Sequence, residues 1–197
     1  MIIIKHRVNT ISSLKKTQEN LGVEIDLRSK NKQLYLHHDP FKNGVLFSKW
    51  LRHYKHSFIV LNVKEEGLEK EILRELKKRK VKNFFFHDQT FSTVLKNMKK
   101  TKVSIRYSEF EELKKINFLF RSIKWIWIDH FKNFELKKNF YFYLKKKKVK
   151  ICIVSPELVN IKHVNKIQSL IKNLRKQKIS IDAVCTKKPK LWAEYYL

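Results

Sequence analysis

Residues 6–39 gather side chains capable of acid–base and metal chemistry. His6-Arg7 is followed by Glu24-Ile25-Asp26 and then by His37-His38-Asp39. Glu24 and Asp26 stand two apart in an apolar stretch, and on a strand that spacing sends both carboxylates out of one face. Two such carboxylates repel unless a proton or a cation lies between them, and oxygen ligands of this type suit Mg²⁺ or Ca²⁺. His6 and His38 bring two groups that ordinarily titrate near neutrality. Taken singly, each residue reads as structural: a lysine-paired carboxylate, a hydrogen-bonded imidazole. Their concentration in one segment, beside the fixed cation of Arg7, argues for a site.

Such a site needs elements that hold its parts together. Eight short apolar stretches read as strands: Ile2–Lys5, Val23–Leu27, Phe58–Val63, Asn83–Phe86, Lys102–Arg106, Trp125–Asp129, Lys150–Val154 and Ile179–Val184. Several are continuous apolar runs, as strands buried on both faces require. Amphipathic stretches lie between them. Leu68, Ile72, Leu73 and Leu76 line one face of a helix over Leu68–Arg79, and Ile161, Val164, Ile167, Ile171 and Leu174 do the same over Asn160–Arg175. Ser108 and Glu111 have capping-box spacing and mark another helix start. Eight strands alternating with helices predict an α/β fold, a compact (β/α)8 TIM barrel, with a doubly wound open sheet as the rival. The polar residues favour the barrel. His6, Glu24, Asp26, Asn62, Lys64, Asp88, Arg106 and Asp129 all fall at or just beyond the C-terminal ends of their strands, where barrels build active sites. No Pro-, Gly- or Ser-rich linker divides the chain, so residues 1–197 are expected to form one domain.

Composition narrows the classes. With 45 Lys plus Arg against 18 Asp plus Glu, the formal charge of the 197 residues is +27. The aromatic content, 14 Phe and 4 Trp, supports a sizeable core and argues against disorder. No apolar run reaches the roughly 18 residues of a membrane span, and the opening Met1-Ile2-Ile3-Ile4-Lys5 is too short for a signal peptide. Cys152 and Cys185 form neither a disulfide framework nor a metal knuckle. Cys152 reads as a small buried hydrophobe. These features predict a soluble, cytoplasmic protein of undetermined oligomeric state. The cations are 37 Lys and only 8 Arg, in a chain rich in Ile (19) and Asn (13) and poor in Ala (2). AT-biased codons account for much of that excess, so nucleic acid is not the expected partner, although such a field favours anionic substrates or anionic membrane surfaces. The runs Lys77-Lys78-Arg79-Lys80 and Lys145–Lys148 fall at the ends of predicted helices, where cations suit the helix dipole.

The motif set resembles the glycerophosphodiester phosphodiesterase family of phospholipase-C-like TIM barrels. The resemblance rests on His6-Arg7 after the first strand, Glu24-x-Asp26 in the second and His38-Asp39 in the following loop. Leu61-Asn62-Val63-Lys64 is similar to the third-strand motif, where the family has Glu and Lys two apart. Phe84–Asp88, Arg106–Glu109, Trp125–Asp129 and Ile181–Thr186 resemble strand ends of a short bacterial branch often associated with surface polysaccharide, and the likeness extends from residue 2 to residue 192. It implies His6 and His38 as the catalytic acid and base, their roles unassigned. It implies a divalent cation, Mg²⁺ or Ca²⁺, on Glu24, Asp26 and Asn62, and phosphate or substrate contacts from Arg7, Lys64, Arg106 and Trp127. The implied substrate is a small-molecule phosphodiester. Three departures stand out. Val8 replaces the family's Gly, Asn62 replaces its Glu, and Ser29-Lys30-Asn31-Lys32 replaces its Thr-x-Asp-Gly turn.

Three functions therefore compete. The first is a metal-assisted phosphodiesterase. The second, suggested by Asn62, is a barrel that binds phosphorylated ligands or a protein without turnover. The third, suggested by charge, binds nucleic acid or an anionic membrane surface. Trp50, Trp125 and Trp192 are expected to be packing residues. Asp39 is expected to orient His38, and His37 to lie at the surface.

Overall fold

The computed structural model describes residues 1–111, 114–132 and 136–196. In chain order the elements are β1 (Ile2–Lys5), α1 (Ile11–Lys15), β2 (Gly22–Lys30), β3 (Gln33–Leu36), β4 (Val45–Leu46), α2 (Phe47–Leu51), β5 (Phe58–Val63) and α3 (Glu69–Lys78). There follow β6 (Phe84–His87), α4 (Phe91–Asn97), β7 (Ser104–Tyr107), a 3₁₀ segment (Lys114–Arg121), β8 (Trp125–Ile128) and α5 (Lys138–Lys146). The chain closes with β9 (Lys150–Val154), α6 (Pro156–Val159), a short 3₁₀ turn (Ile161–His163), α7 (Lys166–Lys176), β10 (Ala183–Thr186) and α8 (Pro189–Tyr196).

Eight strands form a closed parallel barrel in the order β1-β2-β5-β6-β7-β8-β9-β10 and back to β1. The seam between β6 and β7 is a single parallel bridge, Phe86 to Val103, where β2 and β5 share six register pairs. The fold is therefore the predicted α/β barrel. β3 and β4 are an antiparallel excursion from the end of β2.

Alternation along each strand sorts the side chains into two cores. Ile4, Phe58, Val60, Phe85, Trp125 and Cys152 are among those filling the barrel interior, and the larger cluster packs the outer faces of the strands against the helices. The interior is plugged by rings: Trp125 lies 4.8 Å from Phe85 and 5.3 Å from Phe58, centroid to centroid. The inward position of β2 beside them, Gly22, is closed off by Ile4 and Ile2 of β1 and by the Cβ of Phe58. A Cβ on Gly22 would stand 2.9 Å from Ile4 Cγ1. Trp50, Trp125 and Trp192 are all buried, as expected of packing residues.

Several boundaries shift from the sequence expectation. The last strand begins at Ala183 rather than at Ile179, because Ile179 N–H bonds back to Leu174 and closes the end of α7. The amphipathic stretch 160–175 is interrupted. Asn160 is extended and its side chain caps Lys162 N–H, which starts a 3₁₀ turn before α7. Ser108 Oγ donates to Glu111 Oε2 at 2.8 Å, but this bond closes a turn. The next described element is the 3₁₀ segment, and residues 112–113 between them lie outside the described residues.

Candidate active site

The inward pattern that fills the barrel continues past its apolar plug and turns polar at the C-terminal mouth. Glu24 and Asp26 of β2 extend the inward row begun by Gly22, and at 1% and 0% exposure they are buried despite their charge. Burial of carboxylates demands compensation, and the loop after β1 supplies much of it. Arg7 adopts a left-handed backbone (φ 52°), which turns its N–H onto Glu24 Oε2 at 2.6 Å. Val8, standing where the related motif has Gly, is fully buried. Its N–H bonds to Glu24 O, and its carbonyl accepts from Trp50 Nε1. The left-handed residue of this loop is therefore Arg7, and residue 8 serves as an anchor. Asn9 holds Asp26 by two bonds, donating to Oδ2 at 2.8 Å and accepting from the Asp26 N–H at 2.9 Å.

Asn62, on β5 in register with Asp26, faces the same space. Its Nδ2 donates to Glu24 Oε1 at 3.0 Å and to Asp26 Oδ1 at 3.2 Å, while its Oδ1 is buried without a partner. Two cations flank the pair: Lys64 Nζ at 3.7 Å and Arg7 Nε at 3.9 Å, both from Asp26. The balance still leaves Glu24 with its pKa raised to about 7, by burial first and the Asp26 charge second, against the Arg7 and Asn62 hydrogen bonds and Lys64. Among the described residues no three His, Cys, Asp or Glu side chains gather as a metal cluster. The oxygen set here is two carboxylates and one amide.

His6 lies beside this pair, Nε2 3.8 Å from Glu24 Oε2, with Nδ1 buried and unpartnered. Burial, and after it the charges of Arg7, Lys187, His38 and Lys64, lowers its pKa to about 3, so the ring is neutral. His38, at 39% side-chain exposure, follows β3, and its Nδ1 bonds to Asp39 Oδ1 at 2.8 Å. Arg28 ties this loop down through two bonds to the His38 carbonyl, and Glu65 in turn holds Arg28 and Ser29. His37, the expected surface residue, bonds through Nδ1 only to Asp39 backbone.

The opposite side of the mouth is built differently. Arg106 lies 3.0 Å from Glu111, 3.7 Å from Asp88 and 3.9 Å from Asp129, and Lys64 bonds Asp88 at 2.8 Å. Burial raises Asp88, but Lys64, His87 and Arg106 outweigh it and hold its pKa low. Burial raises Asp129 to about 6, against a bond from Trp127 Nε1 at 3.1 Å. Trp127 also stacks on His87 at 4.1 Å.

The structure thus brings Arg7, Glu24, Asp26, Asn62 and Lys64 into direct contact, with His6 beside them. His38 stands close enough to bear on the charge of His6, while Arg106 and Trp127 form a separate wall. Sequence reasoning passed over Asn9, His87 and Lys187. It also passed over a buried network in which Glu157 accepts from Ser155, from Thr186 at 2.5 Å and from Lys187 N–H at 3.0 Å. Lys187 follows the last strand as Lys64 follows β5, and that parallel was the available signal.

No family model and no curated protein matches this sequence. Solved structures do. A glycerophosphodiester phosphodiesterase from Agrobacterium tumefaciens is similar with TM-score 0.69 at 11% identity, covering 98% of this chain and 99% of that one. One from Thermotoga maritima is similar with TM-score 0.67 at 19% identity, covering 98% and 97%. An Oleispira antarctica phosphodiesterase in complex with the product sn-glycerol-3-phosphate is similar with TM-score 0.64 at 16% identity, covering 99% and 96%. At these identities the likeness establishes a shared barrel over nearly the whole chain.

Proposed function

We propose that this chain is a phosphoric diester hydrolase of the glycerophosphodiester type. The observation that carries the proposal is the buried Glu24–Asp26 pair, flanked by His6, Asn62, Arg7 and Lys64 at the mouth. The resemblance to phosphodiesterase barrels supports it.

A phosphodiester is an anion, so its cleavage needs charge neutralisation, a deprotonated nucleophile and a protonated leaving group. Arg7 and Lys64 hold the phosphate oxygens. His6, neutral at physiological pH, accepts the proton of a substrate hydroxyl or water as that oxygen bonds to phosphorus. His38, its Nδ1 held by Asp39, delivers a proton to the leaving alkoxide as the old P–O bond breaks. The residues also fit a hard cation. Reversing the Asn62 amide turns its unpartnered Oδ1 toward Glu24 and Asp26 and gives an all-oxygen set. Mg²⁺ or Ca²⁺ held there would neutralise charge on the phosphoryl oxygens. With an amide as third ligand the set carries two negative charges, so affinity is weaker than for three carboxylates.

A second reading, a barrel that binds phosphorylated ligands without turnover, is favoured by the Asn62 amide itself, which already satisfies both carboxylates. Assay of glycerophosphodiesters and a chromogenic diester with Mg²⁺, Ca²⁺ or chelator separates the two. Turnover that vanishes in His6→Ala and Glu24→Ala supports the hydrolase. A folded protein inert on the whole panel with every metal overturns it.

A further inference from the structure

In a parallel barrel every helix ends at the N-terminal side of the next strand, so all the helix-to-strand connections share the face opposite the mouth. In this chain five consecutive connections, those entering β6, β7, β8, β9 and β10, carry an unusual load. Residues 77–82 hold five cations, 96–102 four, 121–124 two, 145–150 five and 175–178 three: nineteen in all, against one carboxylate in these connections, Asp182 before β10. The described carboxylates nearest this arc are committed, Glu75 to Lys78 at 2.8 Å and Asp182 to Lys145 at 2.9 Å. The carboxylates Asp39, Glu65, Glu66, Asp88, Glu109 and Asp129 lie instead in the connections at the mouth. Codon bias raises the number of lysines but does not segregate them from the acids. Helix dipoles favour cations at helix C-termini, yet the cations continue beyond the last turns, through Lys80, Lys82, Lys100, Lys102, Lys148 and Lys178.

We propose that this arc docks the protein on an anionic lipid surface, with the catalytic mouth turned away from the bilayer. The charge is dispersed over five turns rather than drawn along one groove, and sixteen of the nineteen cations are lysines. Charge spread over a whole face suits a diffuse surface potential, whereas a nucleic-acid backbone is tracked by a continuous charged groove. The arc also offers apolar contact. A shallow cavity of about 640 Å³ has Phe84 and Met98 in its floor and Lys99, Lys100, Lys102 and Lys124 at its edge. The exposed Leu95, Phe118 and Phe142 sit on elements that lead into the arc. Exposed Phe41, Phe110 and Phe131 at the mouth suggest the opposite orientation, but that side mixes its cations, Lys42, Lys132 and Lys187 among them, with the carboxylates named above. The proposed orientation leaves the site open to water-soluble diesters and turned from intact bilayer lipid.

Sedimentation with phosphatidylglycerol-containing vesicles, against pure phosphatidylcholine vesicles, tests this without requiring turnover, so its outcome is separate from that of the phosphodiesterase reading. Binding should be confined to anionic vesicles and fall steeply as NaCl rises from about 0.1 M to about 0.5 M. Replacing Lys99, Lys100, Lys124 and Lys146, all exposed, by Gln should lower partitioning roughly a hundredfold or more, with the circular dichroism spectrum unchanged. Phe41→Ser with Phe110→Ser should leave it intact. Absence of anionic-vesicle binding at low salt overturns the proposal, as does loss in the Phe variant with retention in the Gln variant. Duplex DNA that strips the protein from vesicles at equal phosphate concentration overturns it in favour of nucleic acid.

Discussion

The two sides of the mouth hold similar numbers of charged groups and balance them in opposite ways. On the side of β6 to β8, Arg106 is shared by three carboxylates and Lys64 closes onto Asp88, so the acids of this wall are matched by direct ion pairs, at 3.0 Å for Glu111 and 2.8 Å for Asp88. On the side of β1, β2 and β5, two fully buried carboxylates are served chiefly by neutral donors, the Arg7 N–H, the Asn9 amide and the Asn62 amide, with their cations no nearer than 3.7 Å. A side that is matched can shape a ligand. A side that is under-compensated can receive charge, which is where the proposed hydrolysis is placed.

Replacing the proton-transfer groups should break this contrast most. His6→Ala and His38→Ala should each lower kcat by about 10²–10⁴-fold on an active diester, read by steady-state kinetics. Asn62→Glu sharpens the under-compensated side by adding a third carboxylate. Isothermal titration with Mg²⁺ or Ca²⁺ should show affinity rising by about tenfold or more, because ligand charge sets the affinity of oxygen sites. Arg106→Gln probes the matched side. It should raise KM several-fold and change kcat little, since its charge is largely returned to its own neighbours.

The smallest effect concerns pH. His6 and His87 both have pKa values lowered to about 3, mainly by burial. The unfolded chain takes up these protons below about 6.5 while the folded chain refuses them until about 3, so stability is full above 6.5 and declines as pH falls toward 3. Urea midpoints across that window should drop for the unaltered protein and drop less for His87→Gln. Equal slopes would remove His87 from the account.

The barrel and the β1–β2–β5 side of the site were legible because their signals are local. An apolar run that ends in a polar residue marks both the strand and its mouth, as in Ile2–Lys5 before His6 and Leu61-Asn62-Val63-Lys64. The hairpin of β2 and β3 was not legible. Its turn uses two consecutive left-handed residues, Asn31 (φ 51°) and Lys32 (φ 60°), where the recognisable pairing is Asn-Gly. His87 was hidden for another reason. It closes a run of Phe, and only alternation counted from Phe85 shows that it points inward against Trp127 while Asp88 turns away on a left-handed backbone (φ 60°). The reach of Asn9 back to Asp26 spans seventeen positions and leaves no trace in spacing.

The seam between β6 and β7 gives the barrel a mechanical character. Every other pair of neighbouring strands shares at least two register pairs, whereas this one has the single bridge of Phe86 and Val103, with the Phe86 N–H donating to Lys102 O and Ser104 Oγ bonding the Phe86 carbonyl and His87 Nδ1. A cylinder with one weak stave yields there first under thermal load. Because His87 and Arg106 lie on either side of that seam, the most sparsely paired line of the barrel runs through the matched wall of the mouth, while Glu24 and Asp26 sit on the strand pair with the longest register.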